Sequence, residues 1–244
     1  YGILHHFGNG VEDGRVPRGQ LVQTSDGQFY GTTAEGGTYL LGVVFAINGD
    51  GSIYRVLHAS AGAGGGATPF AGLIEGTDGK LYGTTIAGGT GSQGVIFRLD
   101  KDGGAYEVLR HFTGLGSEGR NPYGTLVEGR NGALYGTTLG GGSGFGGIIF
   151  RLARDGSDYK ILHSFSQTGD EGRGPYAGLS LSRDGVFYGT TTSGSTEKIG
   201  AVFRRRVAPR DGDGLRPPRR QSLHALAQKL VAPVAEQLFG LRID

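Results

Sequence analysis

No cysteine occurs among the 244 residues. That absence removes disulfides, thiolate metal sites and cysteine nucleophiles, but it leaves the compartment open, because an oxidising one does not require cysteine. No apolar run approaches the roughly 18 residues that cross a bilayer as a helix. Charge of one sign is scarce as well. The net charge of +2 hides nine Lys/Arg against four Asp/Glu in residues 204–244, and 15 against 18 in residues 1–203. A mildly acidic body without a basic stripe is poor ground for nucleic acid, whose binding draws on phosphate neutralisation. Glycine, by contrast, supplies 51 residues without a Gly-X-Y period, which excludes collagen and implies frequent tight turns.

Tyr-Gly-Thr-Thr recurs four times, beginning at Tyr30, Tyr82, Tyr135 and Tyr188, at spacings of 52, 53 and 53 residues. An array of one β-rich unit of that length points to the blades of a propeller. Aligned on the tetrapeptide, each unit reads as four strands. The first holds Leu21, Leu73, Leu126 or Leu179, four residues after Pro17, Pro69, Pro122 or Pro175, where proline fixes the entry to a strand. An Asp-Gly or Asn-Gly turn follows, then the tetrapeptide strand, rich in aromatic and β-branched residues. The third strand ends in Phe45, Phe97, Phe150 or Phe203, and a second Asp-Gly turn leads to the fourth.

No fourth strand follows Phe203, whereas Ile3-Leu4-His5-His6-Phe7 reads as one at the amino terminus. The expected fold is therefore all-β: a propeller of four four-stranded blades over residues 1–203, closed by the N-terminal strand so that no edge stays open. A piece of a larger ring and an open stack are the alternatives. Residues 204–221, with seven arginines and Pro217-Pro218, read as a basic linker. Residues 222–244 carry apolar residues at helical spacing from Leu223 to Leu238, so a short C-terminal amphipathic helix is expected there, interrupted near Pro233. Because Tyr1 falls in mid-strand by the repeat register, the chain is expected to be a processed or truncated piece.

The wording of the unit resembles a known family. Tyr-Gly-Thr-Thr, the glycine pairs Gly36-Gly37, Gly88-Gly89 and Gly140-Gly141, and Gly94 to Leu99 with the following Asp102-Gly103 are similar to the GloVer tandem repeat of bacterial secreted or surface-anchored proteins. That resemblance implies a propeller-like, extracytoplasmic repeat protein without family-level catalytic residues. The fourth unit departs from the pattern at Ser193-Gly194 and Arg204-Arg205-Arg206.

With strands running up and down, both Asp-Gly hairpins fall on one face and the longer loops on the other, where binding residues tend to sit. Acid-Gly-Arg sequences there offer Asp13, Arg15, Glu118, Arg120, Glu171 and Arg173, a chemistry suited to glycan hydroxyls or to a protein's charged side chains. Thr33, Thr85, Thr138 and Thr191 lead into the same face, with satisfaction of the loop backbone as their plain alternative. A quasi-symmetric set at His5, His58, Arg110 and His163 lies on outer strands, too dispersed for a metal.

Gly89 to Gly94 matches a dinucleotide fingerprint but runs into a strand rather than a helix. Asp100 to Gly103 lacks the rest of a calcium loop, and Gly142 to Gly146 is no nucleophile elbow. No cofactor and no metal are expected. The expected function is a non-enzymatic extracytoplasmic binding or adhesion module, extracellular or in the cell envelope, contacting glycan or protein and monomeric. The alternative is a polysaccharide hydrolase or lyase with its site at the propeller axis.

Overall fold

The computed structural model describes residues 1–168, 171–194 and 200–206. Among them there is no helix, and four sheets follow the four repeats. In the second unit, Ile74–Glu75, Leu81–Thr85, Val95–Leu99 and Glu107–His111 pair antiparallel in chain order. This is the four-stranded blade the repeat implies. Its turn glycines Gly79 and Gly103 take φ of 78° and 94°, a conformation that disfavours residues bearing a Cβ.

Each residue of the tetrapeptide has a separate structural task. The Tyr30 and Tyr82 hydroxyls donate to the turn carboxylates Asp26 and Asp78 at 2.9 and 2.8 Å, which accounts for the four-residue spacing between turn and motif. Burial, then these carboxylates, push both phenols up to about 12. Gly31 lies so close under the Phe45 ring and Leu21 that a Cβ would come within 2.6 and 2.7 Å of them. The first threonine reaches the next unit: Thr32 donates to the Ala71 carbonyl at 2.8 Å and Thr137 to that of Ala177 at 3.1 Å.

Three hydrophobic clusters fill the seams between successive units. Tyr30 and Val44 pack with Leu73, Leu81 and Phe97; Tyr82 and Ile96 with Leu126, Leu134 and Phe150; Tyr135 and Ile149 with Leu179 and Phe187. Polar bridges reinforce two of these seams. Lys101 joins Glu75 and Ser25, and Arg154 joins Glu128 and Thr77, while both carboxylates accept from the backbone N–H of the preceding unit's turn at 2.8 Å.

The expected ring closure is not what the structure contains. The fourth sheet has three strands, Ser180–Leu181, Val186–Thr191 and Ala201–Arg206, and the N-terminal segment is not one of them. That segment instead lies on the first unit, where His5 stacks on Tyr54 with ring centroids 3.7 Å apart and Phe7 packs edge-on against Phe45. The placement repeats a general contact, since His58 stacks in the same way on Tyr106 and Arg110 lies over Tyr159. Each fourth strand leans on the following unit, and residues 3–7 occupy the place of a preceding unit's fourth strand.

Exposure agrees with an incomplete fourth sheet. Tyr188 is 39% exposed and Val202 78%, whereas their equivalents Tyr30 and Val44 are each 1% exposed. The linker boundary expected at residue 204 also shifts, because the last strand runs on to Arg206. The expected helix of residues 222–244 and the linker beyond Arg206 lie outside the described residues.

Candidate functional site

The loops expected to be free contain short strands. Gly14–Pro17 pairs with the far end of Phe29–Gly36, and Gly119–Arg120 with Gly140–Gly141, while Ala67 and Arg173 make single bridges at the matching places. The residue after Arg15, Ala67, Arg120 or Arg173, namely Val16, Thr68, Asn121 or Gly174, has a positive φ of 54° to 65°.

These pairings commit the acidic candidates to the scaffold. Asp13 is buried and accepts from the backbone of Gly8 (2.7 Å), Asn9 (3.0 Å) and Gly14 (2.7 Å) and from the Tyr54 hydroxyl (2.7 Å), with His5 at 3.2 Å. Burial raises its pKa, but the bonds from Tyr54, Asn9, His5 and Gly14 outweigh that and hold it below the usual carboxylate value. Glu118 binds Arg110 and the Thr113 backbone, and Glu171 binds His163 and the Ser166 backbone. In all three, the acid lies eight residues after the fourth-strand histidine or arginine. That spacing was the signal that would have marked these acids as internal partners.

The second unit has Gly65 at the acid's position, where its carbonyl accepts from the Tyr106 hydroxyl at 2.6 Å, and the buried Nε2 of His58 has no hydrogen-bond partner among the described residues. Burial lowers the His58 pKa, because the apolar surroundings disfavour the charged ring. A depressed histidine contributes full stability above the unfolded value of about 6.5 and loses it as pH falls from there through the folded value. His58→Phe preserves the stack on Tyr106 and removes the orphaned nitrogen. Urea unfolding of this variant at pH 7 and pH 5 is expected to show a smaller acid-side loss than the parent chain; an equal loss would contradict the orphaned-histidine account.

The second threonines likewise serve the backbone. Thr33, Thr85 and Thr138 each donate to a loop carbonyl two residues on at 2.8 Å; Thr33 and Thr85 also accept from the third strand at 3.2 Å, and Thr191 accepts from Ala201 at 3.0 Å. All four are buried.

The arginines have a different fate. Arg120 and Arg173, from neighbouring units, line one cleft of about 300 Å³ together with Asn121, Phe145, Gln167 and Ser193. Arg173 Nη1 donates to the Gln167 carbonyl at 2.8 Å, and Arg120 lies along Gly140, where a Cβ would meet its Nε at 2.7 Å. Among the described residues neither makes an ion pair, and those lining the cleft include no Asp, Glu or His. Both are exposed, as is Arg15, which does not border the cleft. Two of the six charged candidates thus meet at one place.

Sequence reasoning missed a second convergence. The residues just after the four prolines, Arg18, Phe70, Tyr123 and Tyr176, come together: Tyr123 stacks on Tyr176 at 4.4 Å, Phe70 meets both at 5.1 and 6.0 Å, and Arg18 lies 5.5 Å over Phe70. Burial and the neighbouring Tyr123 raise the Tyr176 pKa, while Arg18 opposes them. The recurring Pro-aromatic pair was the available signal. Tyr123 and Tyr176 stand two residues from the cleft residues Asn121 and Gly174, about 7 Å along an extended chain.

No group of three or more His, Asp or Glu that could hold a metal occurs among the described residues, and they contain no helix long and apolar enough to cross a membrane. Among solved structures, the chain is similar to a gluconolactonase of Xanthomonas campestris at 16% identity and a TM-score of 0.50, covering 80% of this chain and 64% of that one. It is also similar to a chain of a nidogen/laminin complex (16% identity, TM-score 0.49, 70% and 53% covered) and to an aldose sugar dehydrogenase of Streptomyces coelicolor (16%, 0.47, 74% and 58%). The chain therefore spans between half and two thirds of the length of these proteins, and the likeness to the gluconolactonase bears on fold alone: a β-propeller module. No curated protein matches. The model of the Gloeobacter/Verrucomicrobia repeat matches residues 1–203, bearing out the resemblance of the tetrapeptide units, and the chain belongs to that repeat family.

Proposed function

We propose that this chain is a non-enzymatic binding module of the cell exterior or envelope, and that it takes a carboxylate-bearing glycan at the cleft between its third and fourth units. The observation that carries this reading is the pairing of Arg120 and Arg173 in a cleft whose described lining has no acidic group. Guanidinium groups bind carboxylates through charge-assisted, often bidentate hydrogen bonds, and two of them held without an internal acid suit an anionic ligand. Asn121, Gln167 and Ser193 supply donors and acceptors for hydroxyls. The neighbouring Tyr123–Tyr176 pair offers aromatic faces that can cover the apolar face of a sugar ring. The volume sits at the small end of the range for ligand pockets, roughly 300–1,000 Å³.

A polysaccharide hydrolase would need an acid and a base at the reacting bond. The described residues of the cleft lining supply neither, which favours binding over cleavage there. The test is titration with a uronic-acid oligosaccharide and with its carboxyl-reduced, neutral counterpart. The acidic form is expected to bind at least about tenfold more tightly, a difference of about 1.4 kcal/mol, and Arg120→Ala or Arg173→Ala to remove most of that preference. Equal binding of both forms, or unchanged binding by the double variant, would refute the assignment. Retention of a protein instead of either sugar would transfer the site to a protein partner.

A further inference from the structure

The arc has two uncovered ends, and each is half of the seam that the chain builds three times internally. At every internal seam, the valine or isoleucine of one unit's third strand shares a cluster with the leucine of the next unit's first strand: Val44 with Leu73, Ile96 with Leu126, Ile149 with Leu179. By the same register the partner of Val202 is a leucine at the position of Leu21. Both are exposed, Val202 at 78% and Leu21 at 43%, while Leu73, Leu126 and Leu179 are 3, 3 and 8% exposed.

We infer that the outer face of the fourth unit docks on the first unit of a second copy of this chain, head to tail, with Val202 against Leu21 and the second copy's N-terminal segment beside the strand Ala201–Arg206. The occupant follows from continuity with the internal seams, since the surface that fits a unit's trailing face is the leading face of another unit. The N-terminal segment is already placed for this role. In the complete units the third strand pairs Val44 with His58, Ile96 with Arg110 and Ile149 with His163. His5 occupies the matching position in residues 3–7 and is held on the first unit by Tyr54 and Asp13. Docking would set Val202 opposite the second copy's His5, giving the three-stranded fourth sheet the strand it lacks.

The arginine at position 204 does not oppose such a seam. Its equivalent Arg98 pairs with Glu107 in its own unit and donates from Nη1 to the Arg154 carbonyl of the next at 3.0 Å. An interface of this type is heterologous: it joins unlike surfaces, so it propagates until the rotation closes a ring.

The absence of native cysteine makes the test clean. Full-length chains carrying Leu21→Cys or Val202→Cys are purified separately, mixed, and treated with a short bis-maleimide. A covalent heterodimer from the mixture, with little product from either variant alone, is the expected result. Sedimentation of the parent chain should show mass rising with concentration, and Val202→Asp, at an exposed position, should return it to a monomer with an unchanged circular dichroism spectrum. A monomer at every concentration would overturn the inference. So would a dilute Leu21→Cys/Val202→Cys double variant that cross-links only within itself, which would mean that the arc closes on its own first unit.

Discussion

Phe97→Ala is expected to lower the unfolding free energy by about 3–5 kcal/mol, the cost of removing a fully buried phenylalanine. The ring packs against Tyr106 at 5.4 Å and belongs to the cluster that joins the first unit to the second. Its loss therefore weakens a blade and a seam together. Gly83 makes the effect diagnostic, because a Cβ there would overlap the far edge of the Phe97 ring and come within 2.7 Å of Leu73. Gly83→Ala alone should be strongly destabilising, and Phe97→Leu in the same chain should recover part of the loss. A double-mutant cycle by urea denaturation measures this coupling, expected at about 1–3 kcal/mol. Additive losses would mean that the close approach of glycine and ring contributes nothing to the conservation of packing across the seam.

Gly94→Ala is expected to cost a further large amount, about 4 kcal/mol, from two sources. Gly94 has a φ of 98°, a strain of roughly 1–3 kcal/mol for a residue with a side chain. A Cβ would also collide with the Thr85 carbonyl and reach 2.9 Å from Pro122 of the following unit, and overpacking of this kind typically costs about 1–3 kcal/mol. Gly79→Ala separates the two sources, because Gly79 shares the positive φ, at 78°, but has nothing within 4 Å of the added carbon. Thermal melts should place Gly79→Ala modestly below the parent chain and Gly94→Ala far below both. Equal melting temperatures for the two variants would remove the steric half of the argument.

The unit and its strands were legible because their signals are local. Asp26-Gly27 and Asp78-Gly79 name a turn, and Phe-Tyr-Gly-Thr-Thr or Leu-Tyr-Gly-Thr-Thr names a strand, without reference to any distant residue. Curvature was not legible in this way. Counting strands suggested that residues 3–7 would complete the fourth sheet, but the rotation from one unit to the next is set by packing at Tyr30, Leu73 and Phe97, which no strand count encodes. The short strands at Gly14–Pro17 and Gly119–Arg120 escaped for another reason, since glycine-rich segments carry no side-chain alternation to read.

The candidate site was half legible. Acid-Gly-Arg was read as one ligand-binding group, but burial divides it. The acid turns inward to an arginine or histidine eight residues earlier, while Arg120 and Arg173 border the cleft. Only a spatial arrangement could separate them, because the three residues are neighbours in the chain.

The three seams are not chemically alike. Lys101 and Arg154 stitch the first two with carboxylate bridges, but the third has Leu181 where the others have Glu75 and Glu128, and the polar links described there run to backbone carbonyls, from Arg130 to Arg183, Thr137 to Ala177 and Arg205 to Leu162. A linear array behaves like a one-dimensional lattice of nearest-neighbour couplings. With the weakest coupling next to the least covered unit, melting should begin at one end and travel inward like a zipper. The fourth unit can then leave while the other three stay folded, and the Arg120–Arg173 cleft, which lies across that last coupling, exists only while the zipper is shut.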